Sequence, residues 1–238
     1  MKRLSVLPAV LLFAAVAFAA DPAPAPAPQY FTAAGFDWRA VVSPPPADDS
    51  VAGRADQEIV VQLDLHRTPE QTALAKRYEK PLEEFAFMAP VLGDWCTAEN
   101  LPRTRAFFKE ANAESRPVVD AAKAAWNRSR PYIFNPALHP AVEKPNNASY
   151  PSGHAYTASW IAALLSAALP ELAADWEQQA ALIRWSRLVG GAHYPADVTA
   201  GKMLGEAVAR EMLKSPQLQH DLEEVRAEIR AHLVKKAA

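Results

Sequence analysis

The chain has 238 residues, half of them hydrophobic, and a formal net charge of -2 at pH 7. This length and composition fit one globular domain with a sizeable core, and the near balance of charge argues against nucleic acid as a partner. Cys96 is the single cysteine, which excludes an intramolecular disulfide. Because no neighbour would activate its thiol, we predict a small, partly buried side chain there.

The first 20 residues have the pattern of an export signal. Two basic residues precede the apolar stretch Leu4 to Phe18, and Ala17-Phe18-Ala19 offers a small-x-small cleavage site. We therefore predict a signal peptide over residues 1–19 and a periplasmic or secreted protein. A retained anchor is the alternative, disfavoured because the apolar stretch is short and interrupted by Pro8.

Residues 20–46 form a Pro- and Ala-rich N-terminal segment. Asp21 to Pro28 alternates Pro and Ala, so we expect an extended spacer there. Aromatic side chains between Gln29 and Ser43 supply enough apolar surface to pack on the domain. After Pro44 to Pro46, we assign residues 47–238 to a helical domain.

The first half of that domain contains one ambiguous stretch and one strong helix signal. Over residues 50–65 a helix is favoured, although Ile59 to Leu65 also alternates like a strand. Thr68-Pro69-Glu70-Gln71 is a capping box with Pro at the first helical position. It predicts a helix towards Phe87 with a break near Pro81.

Helical spacing and boundary signals continue to the end of the chain. They predict helices over residues 100–127, 152–169, 173–189, 195–214 and 217–234. The apolar run within the second of these has 15 residues, too short for a membrane span. No convincing pair of strands appears, so the pattern predicts an all-α single domain.

A long proline-containing loop over residues 132–150 interrupts the helices. Long loops in compact domains are often functional. We expect this loop to form walls of a binding pocket, with Phe134, His139 and Lys144 as candidate lining residues.

Tyr150-Pro151-Ser152-Gly153-His154 stands directly before the apolar helix. Ser152 is placed to cap it, and the free N–H groups and positive dipole end of a first helical turn attract anions. Gly153 lets the backbone come close, and His154 adds a proton donor beside the anion. Taken alone, the pattern also fits ordinary helix capping.

A second candidate cluster surrounds the turn between two predicted helices. Gly190-Gly191 ends one helix and Pro195 begins the next, so Asp197 falls in its first turn, four residues after His193. A carboxylate there can hold one imidazole N–H, fix the tautomer and leave the other nitrogen free. A histidine that only caps a helix is the alternative.

Three cations stand close to these motifs in the sequence. Lys123 and Arg130 could belong to a solvated helix face, and Arg187 could pair with a carboxylate such as Glu177 or Asp175. Each of these structural interpretations is sufficient when its residue is considered separately.

Together, however, the blocks Lys123-x6-Arg130-Pro131, Pro151-Ser152-Gly153-His154 and Arg187-x5-His193-x3-Asp197 closely resemble the tripartite signature of the type 2 phosphatidic acid phosphatase superfamily. Within it the chain looks most like the bacterial class A non-specific acid phosphatases. Its central block departs from that class at Ala148 and Ala155, where Gly and Thr are usual. The resemblance covers about residues 40–215.

The resemblance implies an all-α helical bundle of the acid phosphatase and vanadium haloperoxidase type. It implies an exported, metal-independent acid phosphatase without a cofactor, acting on small phosphate monoesters, nucleotides among them. It also favours a homo-oligomer. An acidic to mildly acidic optimum follows, since one histidine must begin protonated and the other neutral.

The same resemblance assigns roles to individual residues. His193 is the nucleophile that forms a phosphohistidine, Asp197 orients it, and His154 is the general acid and later the base. The implied phosphate ligands are Lys123, Arg130, Ser152, Gly153 and Arg187.

Other functions fit parts of this pattern. A zinc site would use the two histidines and the aspartate, but three converging cations would repel the metal. A vanadium-dependent haloperoxidase shares the pocket type, although such chains are generally longer. A non-catalytic phosphate-binding module would not need an oriented nucleophile, and a membrane lipid phosphatase would need spans.

Overall fold

The computed structural model describes residues 29–237, which contain helices and no strand. The predicted signal peptide and the spacer Asp21 to Pro28 lie outside the described residues. The α-helices are α1 Val51–Leu65, α2 Pro69–Arg77, α3 Glu84–Leu92, α4 Pro102–Trp126, α5 Pro131–Phe134, α6 Gly153–Ala168, α7 Ala173–Val189, α8 Pro195–Met212 and α9 Pro216–Ala237. The predicted all-α class is confirmed.

Capping explains where the first two helices begin. The Ser50 side chain accepts the Gly53 N–H, and the buried positions Gly53, Asp56 and Val60 recur at helical spacing, which resolves the ambiguous stretch as a helix. The capping box between Thr68 and Gln71 is present in both directions.

The predicted break near Pro81 is wider than the sequence indicates. Helix α2 ends at Arg77 and α3 begins at Glu84, so residues 78–83 form an irregular segment. Two of its carbonyl groups accept hydrogen bonds from site residues instead of continuing a helix. The break contains Pro81, as predicted, and it extends over six residues because these tertiary partners compete with the helical ladder.

Helix α6 is the centre of the bundle and packs mainly against α8 and α7. Two glycines of α8 allow this approach: a Cβ at Gly201 would lie 2.4 Å from the Ser152 carbonyl oxygen, and one at Gly205 would lie 2.3 Å from that of Tyr156. The close contact lets the Ser152 N–H donate to the Asp197 carbonyl at 2.9 Å. It thereby joins the beginnings of α6 and α8.

Aromatic side chains of the N-terminal segment pack on the domain, as their number predicts. The ring centroid of Trp38 lies 4.8 Å from that of Trp126, which in turn lies 5.1 Å from that of Tyr150. The Tyr150 hydroxyl donates to the Ser43 carbonyl at 2.6 Å. This packing supports the turn just before α6.

Cys96 is buried, and burial raises the pKa of its thiol to about 12. A thiol with so high a pKa is a poor nucleophile. Within residues 29–237, no helix has the length and apolar character needed to cross a bilayer.

Candidate active site

The three sequence blocks meet at one cavity of about 330 Å³. The ends of α4 and α7 and the beginnings of α6 and α8 surround it. The predicted residues that line the cavity are Lys123, Arg130, Gly153, His154, Arg187 and His193. Ser152 and Asp197 are buried behind the wall.

His193 lies in the turn before α8 and is held on both sides of its ring. Its Nδ1 lies 3.3 Å from Asp197 Oδ2, and its Nε2 lies 2.9 Å from Arg130 Nη1. A guanidinium can only donate, so Nε2 is the acceptor and Nδ1 carries the proton. Burial, followed by the charge of Arg130, lowers the pKa of His193 well below its usual range. The ring is therefore a neutral imidazole with its lone pair towards the cavity.

Asp197 holds the His193 imidazole in place and is itself fixed by several hydrogen bonds. Its Oδ2 also accepts the Ser149 hydroxyl and, at 3.0 Å, the Tyr194 N–H, while its Oδ1 accepts from Arg128 at 2.8 Å. Burial raises the pKa of Asp197, and the charge of Arg128 opposes that rise. Arg128 and Ser149 could not be predicted as site residues, because no local spacing connects either of them with Asp197.

Three buried cations converge on the cavity. Lys123 Nζ donates to the Ala148 carbonyl at 2.6 Å, and Arg187 Nη1 donates to the Tyr78 carbonyl at 2.6 Å. Arg130 donates through Nη2 to Asn147 Oδ1 at 2.7 Å. None of the three forms an ion pair within 4.0 Å in the part of the chain that the structure describes. Such a group of positive charges favours an anion with several oxygens.

Burial of these cations lowers their pKa values. The pKa of Lys123 falls to about 7 and that of Arg187 to about 10, in each case through burial first and the charge of Arg130 second. Arg187 Nε is buried without a hydrogen-bond partner among residues 29–237. An incoming anion would relieve both the repulsion and this unmade hydrogen bond.

His154 stands in the first turn of α6, half-buried at the cavity. Its Nε2–H donates to the Lys80 carbonyl at 2.8 Å. Burial and the charge of Arg187 lower the pKa of His154 to about 3, so the imidazole is neutral in this structure. The requirement that this histidine begin protonated is therefore not met before an anion arrives.

Ser152 caps α6 as predicted, but it does not line the cavity. Its hydroxyl accepts the Ala155 N–H at 3.4 Å, and its side chain is fully buried. The capping geometry turns the oxygen into the first helical turn, which is why the residue lies behind the wall. At the N-terminus of α6, the N–H groups of Gly153 and His154 have no carbonyl partner within the helix and are free to bind an anion.

The loop over residues 132–150 forms part of the wall, as expected, through Lys144. The two other candidates do not: Phe134 is half-exposed in a separate groove against α1, and the His139 side chain is exposed beside Asp64. The short helix α5 turns Phe134 away from the site.

The irregular segment over residues 78–83 is the part of the wall that the sequence did not indicate. Glu79, Lys80 and Leu82 line the cavity, and Lys80 Nζ pairs with Glu143 at 3.1 Å across its rim. Because both partners of this pair are largely exposed, it contributes little to stability. It marks where two wall segments meet.

The low pKa of Lys123 makes a prediction for anion binding. Below about pH 7 the amine is charged and attracts an anion. Above about pH 7 the amine is neutral, so anion binding must take up a proton. Since sulfate keeps its charge over this range, we expect its affinity to fall about tenfold per pH unit above about pH 7. Calorimetric titrations at several pH values measure this. Lys123→Met should flatten the dependence; an unchanged slope in that variant would contradict the assignment.

Comparison with known proteins places this arrangement in a class. A model of the PAP2 superfamily matches residues 113–221. The structure is similar to a bacterial vanadium-dependent iodoperoxidase, with a TM-score of 0.59 and 16% identity over 72% of this chain and 51% of that one. It is also similar to a transmembrane PAP2-type phosphatidylglycerolphosphate phosphatase from Bacillus subtilis, with a TM-score of 0.50 and 21% identity over 70% and 87% of the two chains. Fold and site together define a protein of the PAP2 type.

Proteins with similar sequences show which PAP2-type proteins this chain is related to. The non-specific acid phosphatase of Salmonella typhimurium is 30% identical over 193 residues, 78% of this chain and 77% of that protein. An acid phosphatase of Zymomonas mobilis is 31% identical over 155 residues, 60% of this chain and 58% of that protein. The chain belongs to the acid phosphatases of the PAP2 superfamily, which are phosphoric monoester hydrolases.

Proposed function

We propose that the chain hydrolyses phosphate monoesters through a phosphohistidine on His193, without a metal ion. One observation carries this proposal: the Nε2 lone pair of a neutral, buried imidazole faces a cavity surrounded by three cations, while Asp197 holds the opposite nitrogen. An oriented lone pair beside an anion site is what phosphoryl transfer to an imidazole requires.

In the first step, the Nε2 lone pair of His193 attacks phosphorus and the bond to the ester oxygen breaks. The leaving oxygen takes a proton from His154. The product is a phosphoimidazole whose ring still carries the Nδ1 proton, so it gains positive charge, and Asp197 stabilises that charge. In the second step, His154 accepts a proton from water, the hydroxide attacks phosphorus, and the N–P bond breaks with return of the electron pair to Nε2.

The nucleophile must first be released from Arg130. In this structure the Arg130 Nη1–H donates to the Nε2 lone pair of His193, with 2.9 Å between the two nitrogens. Phosphate oxygens are stronger acceptors for a guanidinium than a neutral imidazole is, so substrate binding would draw this N–H away. Arg130 would then serve the phosphate, together with Lys123, Arg187 and the free N–H groups at the beginning of α6.

Substrate binding would also prepare the general acid. A phosphate dianion beside Arg187 would cancel part of the positive charge that lowers the pKa of His154, and it would favour the imidazolium directly. With a phosphate bound, the pKa of His154 is therefore expected to lie well above about 3. This is consistent with catalysis in acidic to mildly acidic solution.

We infer that the cations take the place of a metal. They neutralise phosphate oxygens without the need for carboxylate ligands, and a divalent cation beside Lys123, Arg130 and Arg187 would be repelled. Export follows as a further proposal from the predicted signal peptide over residues 1–19. The substrates would then be phosphate monoesters outside the cytoplasm.

Hydrolysis of a nitrophenyl phosphate in excess EDTA tests this function. We expect undiminished turnover in EDTA and a burst of nitrophenol equal to the enzyme concentration in His154→Ala, with the steady state slowed about 10²- to 10⁴-fold. An activated leaving group needs little protonation, so the phosphoenzyme should form and accumulate as an acid-labile, base-stable adduct.

Loss of activity in EDTA with recovery on adding a divalent cation would contradict metal independence. Turnover without any phosphoenzyme would contradict covalent catalysis. Halide oxidation after addition of vanadate, with no ester hydrolysis, would instead indicate the haloperoxidase alternative.

A further inference from the structure

Arg128 forms two buried ion pairs behind the cavity wall. Its Nη1 donates to Asp197 Oδ1 at 2.8 Å and its Nη2 donates to Asp56 Oδ2 at 3.0 Å. All three side chains are more than nine-tenths buried, and neither Arg128 nor Asp56 lines the cavity. Burying three charged groups costs solvation free energy, and the attraction between them offsets this cost only when their geometry is good. Stabilisation of the fold is therefore not a sufficient explanation for such a triad.

Asp56 connects helix α1 to this triad. Its Oδ1 accepts the Ala196 N–H at 3.1 Å while its Oδ2 accepts from Arg128. The guanidinium carbon of Arg128 lies 4.1 Å from the centroid of the Tyr194 ring, which fixes the plane of the group. Arg128 is thus held by α1 from one side and by the beginning of α8 from the other.

The two oxygens of Asp197 have unequal surroundings. Oδ2 accepts from Ser149, from the Tyr194 N–H and from His193 Nδ1. Oδ1 accepts from Arg128 alone among the residues described. Removal of Arg128 would therefore leave one oxygen of a buried carboxylate without a donor and let the carboxylate rotate away from the imidazole.

Charge supports the same conclusion. Burial raises the pKa of Asp197, and Arg128 is the first of the groups that lower it. The charged or titratable groups that face Asp197 and His193 come from several elements: Asp56 on α1, Lys123 on α4, Arg128 and Arg130 after α4, Tyr150 before α6, His154 on α6, Arg187 on α7 and Tyr194 before α8. Among them, Arg128 is the one that contacts the carboxylate directly.

We propose that Asp56 and Arg128 are positioning residues for phosphoryl transfer. Arg128 keeps Asp197 ionised and turned so that Oδ2 faces His193 Nδ1, and Asp56 fixes Arg128 in that place. Neither residue touches the substrate. The inference rests on the proposed function, in which His193 is the nucleophile.

Three variants of the full chain test this inference: Arg128→Met, Arg128→Lys and Asp56→Asn. We expect each to lower kcat for nitrophenyl phosphate about 10- to 100-fold, since small misplacement of a reacting group has this effect. KM and the Kd for inorganic phosphate should stay within about threefold, because the phosphate ligands are untouched.

The pH profile of kcat separates the two residues. Without the cation in Arg128→Met, the pKa of Asp197 rises, so the carboxylate is protonated over more of the acidic range and the acidic limb moves to higher pH. Arg128→Lys keeps a positive charge beside Asp197, so its acidic limb should lie close to that of the wild type although its kcat stays low. Asp56→Asn removes a negative charge, so its acidic limb should not move to higher pH.

Glu177→Gln is a matched control, because it breaks the 2.6 Å ion pair with Arg184 away from the cavity. If Asp56 has a purely structural role, folded Asp56→Asn should have lower thermal stability but wild-type kcat and pH profile. That result would overturn the inference. A rise in KM alone would also overturn it.

If Arg128→Met does not fold, Arg128→Lys and Asp56→Asn decide the test. Turnover that survives in His193→Ala would refute the proposed function instead, whereas an inactive His193→Ala beside fully active Asp56→Asn refutes only this inference.

Discussion

Replacing His193 with alanine is expected to abolish hydrolysis, lowering kcat by about 10⁴-fold or more. The substitution removes the lone pair that faces the cavity and that Asp197 orients through the opposite ring nitrogen. His154 also carries a neutral imidazole, but among the described residues no carboxylate lies within 4.0 Å to orient it and stabilise a positive charge on it, so it does not replace the nucleophile. Steady-state kinetics with nitrophenyl phosphate measure the loss, and added imidazole should restore part of the activity by entering the space left by the ring.

The exposed side chain of His139 provides the matched control, since His139→Ala makes the same chemical change far from the nucleophile. That variant should keep wild-type kcat. His193→Ala should still bind inorganic phosphate, because Lys123, Arg130 and Arg187 remain. Folded His193→Ala that turns over substrate at a rate near wild type would exclude a phosphohistidine on this residue.

Asp197→Asn is expected to lower kcat about 10³- to 10⁴-fold. The carboxylate accepts from donors on both of its oxygens, so an amide placed there directs its NH₂ group at a donor in either orientation. If the amide turns its NH₂ group towards His193 Nδ1, that nitrogen must accept a hydrogen bond. The imidazole proton then moves to Nε2, and the nucleophilic lone pair is lost. The substitution also leaves Arg128 short of a counter-charge, so we expect stability to fall by about 3–5 kcal/mol.

Thermal unfolding and pH-dependent kinetics distinguish these two effects of Asp197→Asn. Asp175→Asn, at an exposed position on α7, is the control and should change neither. If Asp197→Asn loses stability yet keeps its kcat at a temperature where it is folded, the carboxylate has only a structural role. A protonated Nε2 detected by nitrogen NMR in the variant would support the tautomer explanation.

Helix positions could be predicted where the signal is local. The caps at Ser50, Thr68 and Ser152 and the prolines at the first positions of α2 and α8 act within one turn, so their effect is readable from adjacent residues. A break near Pro81 could be predicted, but the full extent of segment 78–83 could not, because two of its carbonyl groups accept hydrogen bonds from His154 and Arg187, far along the chain. Long-range partners decided its conformation.

The all-α class and the three blocks of candidate residues can be predicted from neighbours within a few positions, because helix caps, periodicity and short motifs are local. Which of these residues line the same cavity depends on packing between distant parts of the chain. It turned Ser152 into a cap behind the cavity, left Phe134 and His139 outside it, and joined Asp56 to Asp197 through Arg128. The physical reason is that burial and charge pairing depend on side chains brought together by packing, which no local pattern records.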